Sequence, residues 1–347
     1  MRLGLIPGNP VEWLVNRLNL VPQPLLDTQM AFTLARIVMV ASKIGLFDAL
    51  ATGPATAEQI ADRCDTDAEG TARLLPTLVT SGYLGARDDT FELTKMSRKW
   101  LLSTSPHSLA DKLLFQFSEW DWMERAEELV RTGKQEDFHA TLDSREWKLY
   151  QRGMRSVATT ATDPLVRAIR IPSGATRLLD IGGSHGVYSA ALCRRHPKLT
   201  AVVLDLPGAV EHAAPMLAAE DLGDRLRHQV GNALTDDLGT EVYDAVIIVG
   251  VVHHFTDAQN RSLAAKVARA LRPGGTYTIA DFFRLPHSSQ AQQLPALMDF
   301  YFALTSESGT WSPDQMADWQ HAAGLTPGKP TQLPAGSVGL QPATKPA

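Results

Sequence analysis

The chain of 347 residues has little cysteine, no long apolar run and no large excess of charge of either sign. Cys64 and Cys193 are its two cysteines, far apart and at no metal-like spacing, which argues against a disulfide framework or a zinc site and favours a reducing, cytoplasmic environment. The N-terminus does not resemble a signal peptide. The sequence also contains no run of about 18 apolar residues, so we expect no membrane-spanning helix. A net charge of −5 gives no reason to expect a nucleic-acid partner.

The first hundred residues predict a helical module with a hairpin. Apolar residues recur at helical spacing from Pro24 to Leu50, with Gly45 as a stop signal. Two short helices follow, one after Thr56 and one bearing Leu74 and Leu75, and then alternating residues flank Asp88-Asp89 as in a hairpin. This is the order of a winged helix.

A winged helix often binds DNA through its second helix, so the charges on that helix indicate whether this one could. The stretch "DAEGTARLLPTLVTSG" has one arginine against an aspartate and a glutamate, and DNA affinity depends on lysine and arginine contacts to phosphates. We therefore expect packing or dimerisation rather than DNA binding. A winged-helix regulator with a ligand-sensing domain remains the alternative from another class.

The second half predicts an α/β domain. After Pro172, apolar runs such as "TRLLDI", "LTAVVLDLP" and "YDAVIIVG" alternate with helical segments. Strands that are apolar on both faces and separated by helices are typical of a parallel sheet. Its ligand should lie at the carboxyl ends of the strands.

The stretch "RLLDIGGSHG" predicts a nucleoside site at that end of the sheet. Its glycines are Gly182, Gly183 and Gly186, and Asp205 stands about 20 positions beyond them, where a ribose acid is expected. Asp180 just ahead of the glycines would repel a pyrophosphate but suits a cation. S-adenosylmethionine combines a ribose with a sulfonium and an amino group and has no phosphate, so it is favoured over NAD.

From about Leu25 onward, the chain resembles the class I S-adenosylmethionine-dependent O-methyltransferases that have an N-terminal winged-helix dimerisation domain. The resemblance rests on "LLDIGGSHG", "VVLDLPGAV", "VGNAL", "VVHHFTD", "LRPGG" and "ADFF", in that order. Plant caffeic-acid and bacterial natural-product enzymes belong to this family. The resemblance implies a Rossmann-like catalytic domain behind a mainly helical one, a homodimer, S-adenosylmethionine converted to S-adenosylhomocysteine, a small-molecule acceptor and no metal.

The resemblance also implies roles for individual residues. The glycine turn would face the methionine part of the cofactor, Asp205 the ribose and Leu206 the adenine. The full predicted cofactor-binding set is Asp180, Gly182, Gly183, Gly186, Asp205, Leu206, Asn232 and Ala233. Asn232 stands where the family usually has aspartate, and Val249 stands where plant members have lysine.

His253 matches the family's catalytic base, and Asp281 matches the acid that orients it. A phenol with a pKa of about 10 attacks a sulfonium methyl poorly until its proton is removed, which a histidine can do. His254 is the alternative base. A second family acid falls at Thr310, with Glu307 close but displaced, so a same-fold hydroxylase, decarboxylase or pericyclase stays open as an alternative.

The acceptor pocket is predicted from aromatic and polar residues near the cofactor domain. Those residues are Tyr150, Met154, His254, Met298, Asp299, Phe302 and Trp311. The predicted domains are 1–102 for dimerisation, 103–172 for connecting helices that contribute to the substrate site, and 173–347 for catalysis. No membrane partner is expected.

Overall fold

The computed structural model describes residues 7–18, 20–284, 286, 292–333 and 338–347. The chain divides into two compact units, the first ending at Phe117 and the second beginning at Ser118. The three predicted segments, with boundaries after residues 102 and 172, stay a prediction beside this two-way division.

The first unit is mainly helical and contains the predicted hairpin. A capping box between Thr56 and Gln59 begins α5, and Asp67 caps α6, as the polar side chains before each apolar pattern indicate. A π-helical turn, Leu26–Met30, joins α2 to α3. Its elements are α1 (Pro10–Arg17), α2 (Gln23–Leu25), α3 (Ala31–Lys43), α4 (Leu46–Ala49), α5 (Ala57–Cys64), α6 (Ala68–Thr80), β1 (Leu84–Arg87), β2 (Thr90–Leu93), α7 (Lys95–Trp100) and α8 (Ala110–Met123), whose last turns belong to the second unit.

The helix from Gln23 to Lys43 corrects one sequence expectation. It has 21 residues, and an 18-residue window of mean hydropathy 1.3 makes it long and apolar enough to cross a membrane by length and composition alone. Asp27 and Arg36 interrupt its apolar residues, so this segment contains no unbroken apolar run. One such helix is weak evidence for a span, because core helices and N-terminal signal sequences pass the same test. Only 17% of the window is buried.

The second unit is the predicted α/β domain. Its helices are α9 (Ala126–Thr132), α10 (Ser144–Ala168), α11 (Val187–Arg195), α12 (Pro207–Ala218), α13 (Asp257–Ala270), α14 (Gln293–Thr305) and α15 (Pro313–Ala322). Its strands are β3 (Arg177–Ile181), β4 (Thr200–Asp205), β5 (Leu226–Val230), β6 (Tyr243–Val249), β7 (Leu271–Phe282), β8 (Thr326–Pro327), β9 (Thr331–Gln332) and β10 (Val338–Thr344).

The sheet runs β5-β4-β3-β6-β7-β10-β8, with β9 also paired to β10. Strands β3 to β7 pair in parallel, whereas β10 is antiparallel to β7. The chain order reverses at β3, which lies between β4 and β6, and a ligand in such a sheet binds at this switch point. The carboxyl ends of β3, β4, β6 and β7 therefore place Ile181, Asp205, Val249 and Phe282 at one edge.

Candidate active site

The glycine turn between β3 and α11 needs glycine at each predicted position. Gly182 and Gly186 have φ of 67° and 70°, a region that glycine occupies without strain. A Cβ at Gly182 would lie 2.7 Å from Val251, and one at Gly183 would lie 2.4 Å from the Asp180 carboxyl group. The turn therefore packs its backbone directly over neighbouring side chains, and a larger residue would displace it.

Asp180 lies buried behind this turn rather than at its mouth, where the sequence analysis placed it. Its Oδ2 accepts a hydrogen bond from Ser189 Oγ at 2.7 Å, and its Oδ1 has no partner among the described residues. Burial raises the pKa of Asp180 to about 7, and the negative charge of Asp205 adds to this effect while the Ser189 hydrogen bond opposes it. An unpaired buried carboxylate oxygen fits a ligand with a positively charged amino group.

Asp205 ends β4 and is held by backbone amides on both sides. Its Oδ2 accepts from the Ser184 N–H at 2.8 Å, and its Oδ1 accepts from the Leu206 N–H at 2.8 Å. Burial raises the pKa of Asp205, although both hydrogen bonds act to lower it. Each carboxylate oxygen keeps a lone pair for a ribose hydroxyl. Leu206 beside it is exposed, which suits the flat face of an adenine.

Ser184 is a residue that the sequence analysis missed. Its φ of 47° lies in the left-handed region, which is strained for a residue other than glycine. Three contacts hold it there: its N–H donates to Asp205, its Oγ donates to Gln151 Oε1, and its carbonyl accepts from His228 Nε2 at 2.7 Å. Gln151 lies on α10, far away in sequence, so no local pattern indicated this link.

Asn232 forms a turn after β5. Its Oδ1 accepts from the Leu234 N–H at 2.9 Å, and its own N–H donates to Asp236 Oδ2 at 2.9 Å. Ala233 is buried, and its carbonyl accepts from Lys266 Nζ. The hydrogen bonds within the turn engage the Asn232 side-chain oxygen. The predicted contacts of Asn232 and Ala233 with adenine therefore stay predictions. Val249 ends β6 and offers no charged group.

His253 and Asp281 form a buried pair at the same edge of the sheet. His253 lies in a short 3-10 turn, Val252–His254, shortly after β6, and Asp281 lies near the end of β7. The His253 Nδ1 lies 2.8 and 3.0 Å from the two Asp281 carboxylate oxygens. Both side chains are almost completely buried, at 4% and 0% exposure. Because Nδ1 is engaged by Asp281, Nε2 is the nitrogen that remains for an acceptor.

The segment after α14 fixes the His253 backbone. Ser306 Oγ and Ser308 Oγ both donate to the His253 carbonyl, at 3.0 and 2.9 Å. Trp311, predicted for the acceptor pocket, is instead buried in the core and donates its Nε1–H to the Val252 carbonyl at 3.0 Å. Phe302 of α14 stacks on the His253 ring. Of these two predicted pocket residues, Phe302 contacts His253, whereas Trp311 supports the backbone next to it.

The position of the second family acid has a different arrangement. Thr310 is completely buried, and both its N–H and its Oγ1 donate to Asp299 Oδ1. The Arg284 Nε also donates to that oxygen, at 3.3 Å. Glu307 is exposed. Met298, next to Asp299 on α14, is partly buried.

Two imidazoles and a carboxylate lie beside His253. We call these residues, Asp137, His139 and His254, the histidine cluster. His139 Nδ1 lies 3.0 Å from Asp137 Oδ1. The His254 ring centroid lies 4.2 Å from that of His253 and 4.5 Å from that of His139. Ligand atoms of the three residues lie within 4.8 Å of one another, a spacing that a metal ion would also accept.

The electrostatics of this cluster keep His254 uncharged. Burial lowers the pKa of His254 well below its usual value, and the nearby rings of His253 and His139 lower it further. Burial raises the pKa of Asp137, but its hydrogen bonds from His139 outweigh this effect, and the net pKa is lowered. His254 was a predicted pocket residue, whereas Asp137 and His139 were missed because "EDFHA" shows no periodic or motif signal.

The predicted pocket residues Tyr150 and Met154 lie one turn apart on α10, both partly buried. The Tyr150 ring packs edge-on against His139 with centroids 4.8 Å apart, and Trp147 packs edge-on against Tyr150. Burial raises the pKa of Tyr150 well above its usual value, so its hydroxyl stays protonated. The structure thus brings Tyr150 next to the histidine cluster.

Comparison with known families identifies the class of protein. Residues 130–325 match the model of the O-methyltransferase domain, and residues 26–103 match that of the O-methyltransferase dimerisation domain. Because the first match spans more than half of the chain, the chain belongs to the O-methyltransferase family.

Several characterised proteins are similar along most of their length. A 3-hydroxy-5-methyl-1-naphthoate 3-O-methyltransferase of Streptomyces sahachiroi is 26% identical over 313 residues, covering 88% of this chain and 90% of that protein. The N,N-dimethyltransferase OxyT of Streptomyces rimosus is 27% identical over 273 residues, covering 76% and 78%. The crystal structure of human N-acetylserotonin methyltransferase superposes with a TM-score of 0.84 at 19% identity, covering 94% of this chain and 97% of that one.

The family match confirms the predicted fold class and the predicted enzyme, an O-methyltransferase that uses S-adenosylmethionine. The match to a dimerisation domain also agrees with the packing function expected of the first hundred residues. The roles of individual site residues stay predictions, as does the absence of a nucleic-acid partner.

Proposed function

We propose that this enzyme methylates a phenolic or enolic hydroxyl of a small secondary metabolite, with His253 as the general base. The observation that carries the proposal is the buried His253–Asp281 pair at the carboxyl edge of the sheet, where the glycine turn and Asp205 also lie. The similarity to a protein named for methylating the 3-hydroxyl of a naphthoate supports an aromatic acceptor.

The residues at and next to the glycine turn offer hydrogen-bond acceptors and an apolar surface that match the groups of S-adenosylmethionine. Asp205 would accept hydrogen bonds from the ribose hydroxyls, and Leu206 would lie against the adenine. The unpaired Asp180 Oδ1 would receive the amino group of the methionine part. When bound, S-adenosylmethionine supplies an electrophilic methyl group on a sulfonium sulfur.

The base chemistry follows from the two nitrogens of His253. Asp281 accepts the Nδ1–H, which leaves the Nε2 lone pair to take the proton of the acceptor hydroxyl. With its proton taken by His253, the acceptor oxygen would receive the methyl group of bound S-adenosylmethionine, and the electron pair of the methyl–sulfur bond would stay on sulfur. Asp281 stabilises the resulting imidazolium. The products are the methyl ether, S-adenosylhomocysteine and a proton on His253.

The test is the His253→Gln variant, measured with labelled S-adenosylmethionine and a panel of phenols, carboxylic acids and amines. General base catalysis contributes about 10²–10⁴-fold, so kcat should fall by that amount while calorimetry shows unchanged S-adenosylhomocysteine affinity. His321→Gln, at an exposed histidine of α15, is the control and should retain wild-type kcat, whereas His254→Gln tests the alternative base. If His253→Gln keeps full turnover on a methylated phenol, His253 is not the base.

We also propose a homodimer formed by the first unit, in a cytoplasmic enzyme. The exposed apolar residues Leu25, Met30 and Phe32 lie on the helix from Gln23 to Lys43, mostly within the segment matched to the dimerisation domain. Both cysteines are free, as a reducing compartment allows. Light scattering should give twice the chain mass of 37.8 kDa, and Phe32→Asp should shift it toward the monomer. A wild-type monomer would contradict the dimer.

A further inference from the structure

The site contains a second aspartate–histidine pair besides His253–Asp281. Asp137 and His139 come from the segment before α10, whereas His253 and Asp281 come from the sheet edge. In each pair the imidazole Nδ1 lies within 3.0 Å of a carboxylate oxygen. A carboxylate on Nδ1 holds that nitrogen as a donor, so Nε2 of His139 presents its lone pair.

Two nitrogens of this cluster have unused hydrogen-bonding capacity. His139 Nε2 and His254 Nδ1 are buried and have no partner among the described residues. A buried polar atom without a partner costs free energy, and such atoms in a folded protein call for a ligand or a bound water. Burial lowers the pKa of His254 and keeps this imidazole neutral.

The cluster borders the reacting position. The His254 ring separates the two histidines of the pairs and contacts both, with centroid distances of 4.2 Å to His253 and 4.5 Å to His139. An acceptor oxygen bound to His253 Nε2 would therefore have His254, and beyond it His139, as its neighbouring imidazoles. On an aromatic ring system, an ortho or peri oxygen lies one hydrogen-bond length from the first.

We propose that His139, oriented by Asp137, and His254 bind a second oxygen of the acceptor. The preferred substrates are then aromatic compounds with two neighbouring oxygens, one methylated at His253 and its ortho or peri neighbour held by His139 and His254. The inference rests on the proposed function. A hydroxyl at the second position would donate to His139 Nε2. The Tyr150 and Trp147 rings next to His139 supply apolar faces for the ring system.

The test measures binding apart from turnover. Four probes are titrated onto the full-length protein saturated with S-adenosylhomocysteine, with EDTA present: 2,3-dihydroxynaphthalene, 1,8-dihydroxynaphthalene, 1-naphthol and 2-naphthol. A hydrogen bond into a buried site should make at least one dihydroxy probe bind about tenfold more tightly than its naphthol. In His139→Phe, which keeps a ring against Tyr150 and Trp147, this ratio should fall to about one.

Two further variants separate positioning from folding. Asp137→Asn should lower the preference about threefold without changing naphthol affinity, because His139 remains but its tautomer is no longer fixed. His321→Phe, at an exposed histidine in α15, is the matched control and should keep the wild-type ratio.

The outcomes distinguish the inference from the function on which it rests. Equal affinity for dihydroxy and monohydroxy probes, no measurable binding of either dihydroxynaphthalene, or an unchanged preference in His139→Phe would overturn the inference. A preference that appears only when EDTA is replaced by zinc would assign the cluster to a metal and overturn it as well. Failure of the proposed function would appear separately, as no methyl transfer from labelled S-adenosylmethionine to any hydroxyl of the wider acceptor panel.

Discussion

The Phe302 ring stacks on the imidazole of His253, with centroids 3.6 Å apart and planes inclined by 26°. Asp281 fixes the ring's Nδ1, and two serine hydroxyls fix the carbonyl of the same residue. The histidine is therefore restrained at its backbone, at one nitrogen and over one face. Such restraint keeps Nε2 at a fixed position for the acceptor hydroxyl.

We expect Phe302→Leu to lower kcat about tenfold, because the imidazole loses the flat surface that sets its plane and a small misplacement of a catalytic group is costly. S-adenosylhomocysteine affinity should stay unchanged. Steady-state kinetics and calorimetry measure the two effects. Phe300→Leu, at an exposed position on the same helix, is the control and should retain wild-type kcat. Equal kinetics for both variants would show that the stacking has no part in catalysis.

Asp281→Asn should lower kcat by about 10²–10⁴-fold with little change in cofactor affinity. The asparagine oxygen can still accept the Phe282 N–H that Asp281 accepts at 2.7 Å. Its NH₂ group would then face His253 Nδ1, which would reverse the tautomer and leave Nε2 protonated and unable to take a proton. Asp318→Asn, exposed on α15, should be silent. Full activity in Asp281→Asn would remove Asp281 from the mechanism.

The raised pKa of Asp180 predicts a pH dependence of cofactor binding. In the free enzyme Asp180 takes up a proton as the pH falls below about 7. A cationic amino group binds the carboxylate form, so below pH 7 binding must release that proton and the affinity should fall about tenfold per pH unit. Above pH 7 this contribution should be constant.

Calorimetry with S-adenosylhomocysteine at pH 6, in two buffers of different ionisation enthalpy, should detect the release of close to one proton. Asp180→Asn should bind more weakly at pH 8 and lose this proton release. A wild-type affinity that does not change between pH 5.5 and 7 would show that Asp180 does not receive the amino group.

The sheet could be predicted from sequence because its signals are local. "RLLDI" and "AVVLD" are mainly apolar on both faces, and each forms a buried strand with an aspartate next to or at its carboxyl end. Parallel pairing then brings those carboxyl ends to one edge of the sheet, independently of the conformation of the connecting loops. His253 was predicted from the family resemblance, and its place a few residues after the strand Tyr243–Val249 agrees with a position at this edge.

The histidine cluster could not be predicted because its members are distant in sequence and stand in segments without a periodic pattern. His139 lies in a four-residue 3-10 turn, where no apolar spacing indicates a direction, and it meets His254 only through tertiary packing. Gln151 and Ser184 are likewise distant in sequence and come together only through tertiary packing. Trp311 was predicted as a pocket residue from its type, but its indole N–H is needed by the Val252 carbonyl, and this places it in the core.

Asp299→Ala should destabilise the protein by about 1–3 kcal/mol, because it leaves the buried Thr310 N–H and hydroxyl without their acceptor. Thermal or urea unfolding of the purified variant gives the change in the free energy of unfolding. Asp318→Ala, an exposed aspartate with no such role, should stay within about 0.5 kcal/mol of the wild type. Wild-type stability in Asp299→Ala would show that the fold does not depend on the Asp299 carboxylate as the acceptor for Thr310.

Gln151→Leu should weaken S-adenosylhomocysteine binding about tenfold, because it removes a contact that holds the glycine turn in place. Gln151 is buried on α10 and accepts the Ser184 hydroxyl, which helps to keep Ser184 in its left-handed conformation with its N–H on Asp205. Without that contact the strained backbone should relax, at a gain of about 1 kcal/mol or more, and Asp205 should lose an N–H that orients it toward the ribose.

The control for this prediction is Lys148→Ala, an exposed residue on the same helix, which should bind with wild-type affinity. Ser184→Gly separates the two causes, because glycine accepts a φ of 47° without strain. If Ser184→Gly restores the affinity of Gln151→Leu to near wild type, the loss comes from the backbone conformation. If the double variant binds as weakly as Gln151→Leu alone, relaxation of Ser184 is not the cause, and α10 must act on the glycine turn through a different contact.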